Sequence, residues 1–186
     1  MSHRKVRSVF QIPENRVCQG DIGVEIELEG RGLPNVKPSS NWTVTHDGSL
    51  QRGLEYVLRN PRNLAQVKNN ITQLYKLIRD NDGNVRDSIR AGVHVHINAQ
   101  EMTMLQLFNL LTLYIMLEEV LMDYCGPDRS GNLFCLRSKD ADFIIYAITQ
   151  AVITKDFSLF GSDELRYSSV NVKSLTKFGS LEFRGM

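Results

Sequence analysis

The sequence predicts an α+β fold, with an antiparallel or mixed sheet of roughly six strands and about three interspersed helices on one face. Two observations carry this. Four short segments alternate polar and apolar residues at the two-residue period of a strand, and longer stretches between them repeat apolar residues at helical steps of three and four. The chain has 186 residues, so a single domain over 1–186 is the default, with 1–20 a lead-in of little pattern.

Gly23-Val24-Glu25-Ile26-Glu27-Leu28-Glu29 defines the first strand, about Ile22–Glu29. Alternation sends Glu25, Glu27 and Glu29 one way and Val24, Ile26 and Leu28 the other. The following Gly30-Arg31-Gly32-Leu33-Pro34 opens like a dinucleotide loop. Asn35 stands where its third glycine belongs and no helix follows, so that function is rejected. Asn41–Thr45 is the second strand by β-propensity, closing on the turn His46-Asp47-Gly48-Ser49, and Leu54–Arg59 is the third.

Asn60-Pro61 reads as a helix start, with Asn60 as N-cap and Pro61 first in the helix. Leu64, Val67, Ile71, Leu74 and Ile78 give an amphipathic stripe to Asp80, stopped by Asn81-Asp82-Gly83-Asn84. Gly92–Asn98 is a strand carrying His94 and His96 on one parity. A helix over Thr103–Tyr124 is apolar nearly all round and is expected to lie centrally under the apolar face of the sheet. Within Met102–Met122, Gln106, Asn109, Glu118 and Glu119 argue for a buried helix over a membrane span.

Gly126–Gly131 reads as a loop, and Asp140 as the cap of a third helix through Phe143, Ile144, Ala147, Ile148 and Ala151. Ser162–Tyr167 suits a short helical turn. Val170–Leu175 and Ser180–Phe183 flank Thr176-Lys177-Phe178-Gly179 as a closing hairpin.

Composition narrows the function. Charged residues make up 23% and hydrophobic ones 42%, an ordinary globular balance, and a net charge of +1 provides no field for nucleic acid. The basic cluster His3–Arg7 reads as a solvated tail. No secretory leader is apparent. Cys18, Cys125 and Cys135 lack any C-x-x-C spacing and fit free thiols in a reducing, cytoplasmic compartment. No nucleic-acid or membrane partner is expected.

The polar parity is harder to explain as mere surface. Like charges on one strand face repel, and burying them is expensive without a cation. An edge strand with a solvated acidic face is the bland alternative for Glu25, Glu27 and Glu29. However, His94 and His96, Glu55 in Leu54-Glu55-Tyr56-Val57-Leu58, and Glu182 and Arg184 in Leu181-Glu182-Phe183-Arg184 share the non-apolar parity of their strands. Convergence of that kind points to a metal-centred active site. Several carboxylates with one or two imidazoles suit Mg²⁺ or Mn²⁺. A zinc set of His94, His96 and Glu182 would leave Glu25, Glu27 and Glu55 unexplained. H-E-x-x-H, P-C-x-x-C, G-x-x-x-x-G-K-[ST] and G-x-S-x-G are all absent.

Five motifs then follow in order: Gly23-x-Glu25-x-Glu27; Thr45-x-Asp47-Gly48-Ser49 with Leu54-Glu55-Tyr56-Val57; Gly92-Val93-His94-Val95-His96-Ile97; Arg166-Tyr167-x-x-Val170-Asn171; and Leu181-Glu182-Phe183-Arg184. Over about residues 21–186 this order resembles the amidoligases, within the glutamine synthetase and glutamate–cysteine ligase superfamily of carboxylate–amine ligases. The compact length is similar to forms carried by bacteriophages, which implies a host cytoplasm.

The resemblance implies a curved, mostly antiparallel sheet with helices on its convex face, a glutamine synthetase-like core, and ATP with divalent cations on the concave face. By motif, Glu25, His94 and Glu182 would hold one metal near the γ-phosphate, and Glu27 and Glu55 another near the acceptor, with Asp47 nearby. His96 would contact nucleotide phosphates, and Arg184 the transferring phosphoryl group and substrate carboxylate. Arg166 and Arg129 would add positive charge, and Glu29 would face the rim. Relatives usually continue past the Glu-x-Arg strand, whereas this chain stops at Met186. That departure implies a shortened chain, a partner completing the site, or weakened activity.

The implied reaction is phosphorylation of a carboxylate by ATP to an acyl phosphate, then amine attack to form an amide. The carboxylate and amine substrates would be carried on a peptide, a protein or a cell-wall fragment. A zinc hydrolase and a nucleotide- or partner-binding module that has lost its chemistry are the competing classes.

Overall fold

The computed structural model describes residues 3–129, 131–140 and 142–185. Along the chain run α1 (Val6–Val9), β1 (Ile22–Arg31), β2 (Trp42–Thr45), β3 (Gly53–Leu58), α2 (Leu64–Asp80), β4 (Asn84–Arg86) and β5 (Val93–Asn98). They are followed by α3 (Met104–Cys125), α4 (Phe143–Thr154), β6 (Val170–Asn171), α5 (Lys173–Phe178) and β7 (Ser180–Phe183), with short 3₁₀ turns between. The class is α+β with mostly antiparallel pairing. The chain packs as two compact units, one over Cys18–Val95 and the other formed by the segments up to Val17 and from His96 onward.

In the Cys18–Val95 unit the strands run β2-β3-β1-β5, with β4 also paired to β1. β1 and β3 are antiparallel in the register Glu25↔Val57, Glu27↔Glu55 and Glu29↔Gly53. The even-numbered residues of β1 pack inward. Val24 joins Trp42, Tyr56 and Leu58 against Val67, Leu74 and Ile78 of α2, with Ile26 and Leu28 alongside. Burial of this apolar set off one face, at about 25 cal/mol per Å² of apolar surface, drives the unit together and leaves the acids on the other face.

α2 begins three residues later than its sequence suggests. Arg62 exchanges backbone hydrogen bonds with Ile22 at 3.0 and 2.8 Å, so the stretch before Asn63 is held extended instead of turning at Pro61. Asn63 is the N-cap, and with Gln66 it makes a reciprocal capping box. Ile71, expected in the buried stripe, is 38% exposed. Asn70 takes the inward position, accepting from Asn41 at 2.8 Å and from the Trp42 indole through its carbonyl at 3.3 Å. The stop after α2 also hides β4, which pairs with Glu29–Arg31 and so lengthens β1 past Glu29.

The other unit has its own core. Met104, Leu107, Phe108, Leu111 and Tyr114 of α3 meet Ile144, Ala147 and Ala151 of α4, with Phe160, Leu165, Val170, Leu175 and Leu181. α3 is capped by Thr103 with Gln106, as its T-x-x-Q start implies. It is not central all round, because Met116, Val120 and Tyr124 are 75%, 67% and 91% exposed. An unpatterned apolar helix carries no signal for which side is covered. By length and composition it could cross a membrane, although a third of its apolar window is buried. Its Glu118 is buried, accepting from the Ser138 backbone at 2.8 Å and from the Ser169 hydroxyl.

Three further expectations change in this unit. The four residues of α1 carry no periodicity, yet Val6 is fully buried and donates its N–H to Met102 O at 2.9 Å. Asp140 does not cap α4, because its carboxylate is held by Arg137 at 2.8 Å and the helix starts at Phe143. The closing hairpin is instead strand–helix–strand. Asn171 Oδ1 accepts from Lys173 N at 2.9 Å, ending β6 and starting α5, and Ser174 Oγ bonds Asn171 O and Ser180 O. Gly179, at φ 68°, supplies the left-handed stop that glycine adopts most readily. β6 and β7 still pair antiparallel. Ser130 of the expected Gly126–Gly131 loop lies outside the described residues.

Candidate metal and anion site

The acidic face of the Cys18–Val95 unit follows from register. Glu27 and Glu55 are direct Cα partners across β1 and β3, and Thr45 is the partner of Glu55 across β2 and β3. Asp47 lies just past β2, in a turn closed by its own side chain accepting from Ser49 N at 2.6 Å. Ligand oxygens of Glu27, Asp47 and Glu55 all fall within 4.8 Å of one another. Across such a gap, two carboxylates repel by about 3 kcal/mol at an effective dielectric of about 20.

Glu55 shows the strain. Burial first, then the charges of Glu25 and Asp47, push its carboxyl above the ordinary value of 4.5, against the Thr45 hydroxyl bond and the His94 charge, which lower it. Thr45 Oγ1 donates to Glu55 Oε2 at 2.5 Å.

His94 enters from β5 and is 4% exposed. Its Nδ1 lies 3.4 Å from Glu25 Oε2 and its Nε2 3.6 Å from Glu27 Oε2, so one ring addresses two carboxylates. The oxygen set suits a hard cation. Metal–oxygen bonds of about 2.1 Å place opposite ligands of Mg²⁺ about 4.2 Å apart, and larger cations about 5 Å. A contraction of a few tenths of an ångström would therefore let Glu27, Asp47 and Glu55 share an ion.

Glu29, also of odd parity, is no rim residue. It is 1% exposed, accepts from Gln51 N at 2.6 Å and pairs with Arg86 at 2.9 Å. Burial alone would raise its pKa. The bonds from Gln51, Arg86 and Ser88 and the Arg86 charge outweigh burial and lower it from 4.5 to about 2. A depressed carboxyl stabilises the fold above its unfolded value and loses that contribution as the pH falls through its folded one. Glu29→Gln is therefore expected to cost about 2 kcal/mol at neutral pH. In urea titrations across pH, the gap to the unsubstituted protein should shrink between pH 4.5 and about 2. A gap constant over that window would refute the assignment.

The other unit holds the remaining sequence-derived residues. Asn171 and Glu182 are Cα partners across β6 and β7. Asn171 Nδ2 donates to Glu182 Oε2 at 2.7 Å, and Arg184 Nη1 to Glu182 Oε1 at 2.6 Å. Arg184 is also fixed by its backbone N–H to Ser169 O at 2.8 Å and by its Nε to Phe134 O at 3.3 Å. A guanidinium held on several sides in this way is preorganised to meet an anion.

Arg129 shares this neighbourhood. Burial raises the Cys135 thiol above its ordinary value, and the charges of Arg129 and Arg184 both act on it in the opposite direction. The raised thiol is a poor nucleophile. Arg166 is placed differently: it is exposed on a 3₁₀ turn, 5.7 Å over the Tyr167 ring. His96 Nδ1 lies 3.4 Å from Ser180 Oγ.

Sequence reasoning overlooked Thr45 and Asn171 as site residues. Both stood inside the quoted motifs, and both become visible as cross-strand partners of Glu55 and Glu182 once the register is known.

A family model described as "Putative amidoligase enzyme" matches residues 39–186. No curated protein and no solved structure matches the chain significantly.

Proposed function

The chain belongs to this amidoligase family, and from that premise we propose that it is an ATP- and Mg²⁺- or Mn²⁺-dependent carboxylate–amine ligase working through an acyl phosphate. The observation that carries the proposal is the Glu27–Asp47–Glu55 cluster, three carboxylates with ligand oxygens within 4.8 Å of one another, two on paired strands and one in the turn after β2. An all-carboxylate set favours a hard cation over zinc, and so a phosphoryl-transfer enzyme over a zinc hydrolase.

When bound, a divalent cation would neutralise charge on the phosphate oxygens and orient the γ-phosphoryl group. Glu27, Asp47 and Glu55 would hold it, with Glu25 and His94 beside them. Arg184, aligned by Glu182 and Asn171, would present its guanidinium to an anionic group, with Arg129 adding charge. The substrate carboxylate attacks the γ-phosphorus and ADP leaves. The amine then adds to the activated carbonyl, inorganic phosphate departs, the amine loses a proton, and an amide remains. His96 would contact the nucleotide phosphates and Arg166 would supply positive charge from its turn.

Because repulsion within the cluster is relieved by an ion, saturating Mg²⁺ and ATP should stabilise the protein by about 2.7 kcal/mol at a hundredfold excess over Kd. That corresponds to a rise of about 5–10 °C in Tm. Thermal melts read this directly. ADP and phosphate release in the presence of pooled acids and amines tests the chemistry, and an unmoved Tm together with no ADP release would overturn the proposal.

A further inference from the structure

Beyond Glu29 the polar face changes sign. A cavity of about 260 Å³ is lined by Gly30, Arg31, Arg52, Asn84 and Arg86. Its arginines come from the end of β1, the residue before β3, and β4. Gly30 permits the close approach of β4, since a side chain there would meet Asn84 O at 2.2 Å. Arg86 is half-committed to Glu29, whereas neither Arg31 nor Arg52 has a carboxylate partner among the described residues. In a chain of net charge +1, three guanidiniums around one cavity form a local concentration of cationic donors suited to a carboxylate.

Register ties this cavity to the cation cluster. Arg31 pairs with Asn84 and Glu29 with Arg86, so these residues share the face that carries Glu27 and Glu55. Arg31 lies four residues beyond Glu27 on β1, about 13 Å along the strand. Between them sits the buried Glu29 carboxylate. Its charge is already met by Arg86, so a polyanion such as a polyphosphate gains no counter-charge from it along this span, whereas the neutral backbone of a peptide needs none.

We propose that this arginine cavity captures a second carboxylate of the substrate, so that the acid joined by this enzyme is an extended peptide of about four residues with a reacting carboxyl at one end and a free carboxylate at the other. The inference rests on the ligase reading for the identity of the reacting end. The cavity sets substrate length: a short monoacid reaches the cations but leaves the arginines unfilled.

Calorimetric titration with Mg²⁺ present tests it, using N-acetyl-glutamyl-triglycine, its C-terminal amide and N-acetyl-glutamyl-glycine. The free-acid tetrapeptide should bind at least roughly tenfold tighter than either control, and R31A/R52A should erase that difference. Both substituted side chains are exposed, so the variant should melt like the unsubstituted protein and keep its Mg²⁺-induced Tm shift. No binding of the tetrapeptide, or binding indifferent to the far carboxylate or to R31A/R52A, overturns the proposal. Loss of ATP binding in R31A/R52A with peptide binding intact overturns it as well, by assigning the cavity to the nucleotide. ADP release with arginine-independent peptide binding would sink this inference and leave the ligase reading standing; arginine-dependent binding without ADP release would sustain the capture of a carboxylate by the cavity and count against the ligase reading that identifies the reacting end.

Discussion

Glu182→Ala is expected to destabilise the protein by about 3 kcal/mol and to reduce ligase turnover by about a thousandfold or more. Glu182 is 5% exposed and receives Arg184 at 2.6 Å and Asn171 at 2.7 Å. Truncation leaves a guanidinium that is itself only 12% exposed without its counter-charge, and charge burial of that kind dominates the energetics. Removing both charges is a different matter. E182L/R184M should recover most of the lost stability while remaining silent in turnover. Urea unfolding of the two single variants and the double variant gives the coupling. Additive losses would mean that the pair is not an energetic unit.

Glu55→Gln should change sign with the cation. Without divalent ions it removes the repulsion and desolvation that raise the Glu55 carboxyl, so the variant should melt about 2–4 °C above the unsubstituted protein. With saturating Mg²⁺ the order should reverse, because the variant offers a weaker ligand. Turnover should fall about a hundredfold or more. The pH dependence has a definite sense. A carboxyl with a raised folded pKa binds its proton more tightly in the folded state, so the cation-free protein should lose stability as pH climbs past 4.5 and E55Q should lose less. Melts with and without Mg²⁺ across that range suffice. A variant less stable than the parent in both conditions would show that Glu55 is held by structural bonds and not by an ion.

Much of this was legible in the chain. The period-two alternation of β1 determined which side chains share a face, because a strand has no other way to arrange them. The apolar run placed the start of α3 to within a residue, and the five ordered motifs, four of them within the matched residues 39–186, named the candidate residues and the family. The sequence misplaced the starts of α2 and α4 and read α5 as the end of a strand and a hairpin turn. At α2 a distant strand engaged the local signal, through Arg62 with Ile22, while at α4 and α5 neighbouring side chains did so, through Arg137 with Asp140 and Ser174 with Asn171 and Ser180.

Which carboxylates meet depended on register, and register is a property of pairs of strands. Only the tertiary structure set Glu27 opposite Glu55, put His94 between two acids, withdrew Glu29 into a pair with Arg86, and gathered three arginines around one cavity. Alternation assigns each side chain to a face. The hydrogen-bonded neighbour decides what it touches there, and that neighbour comes from a distant part of the chain.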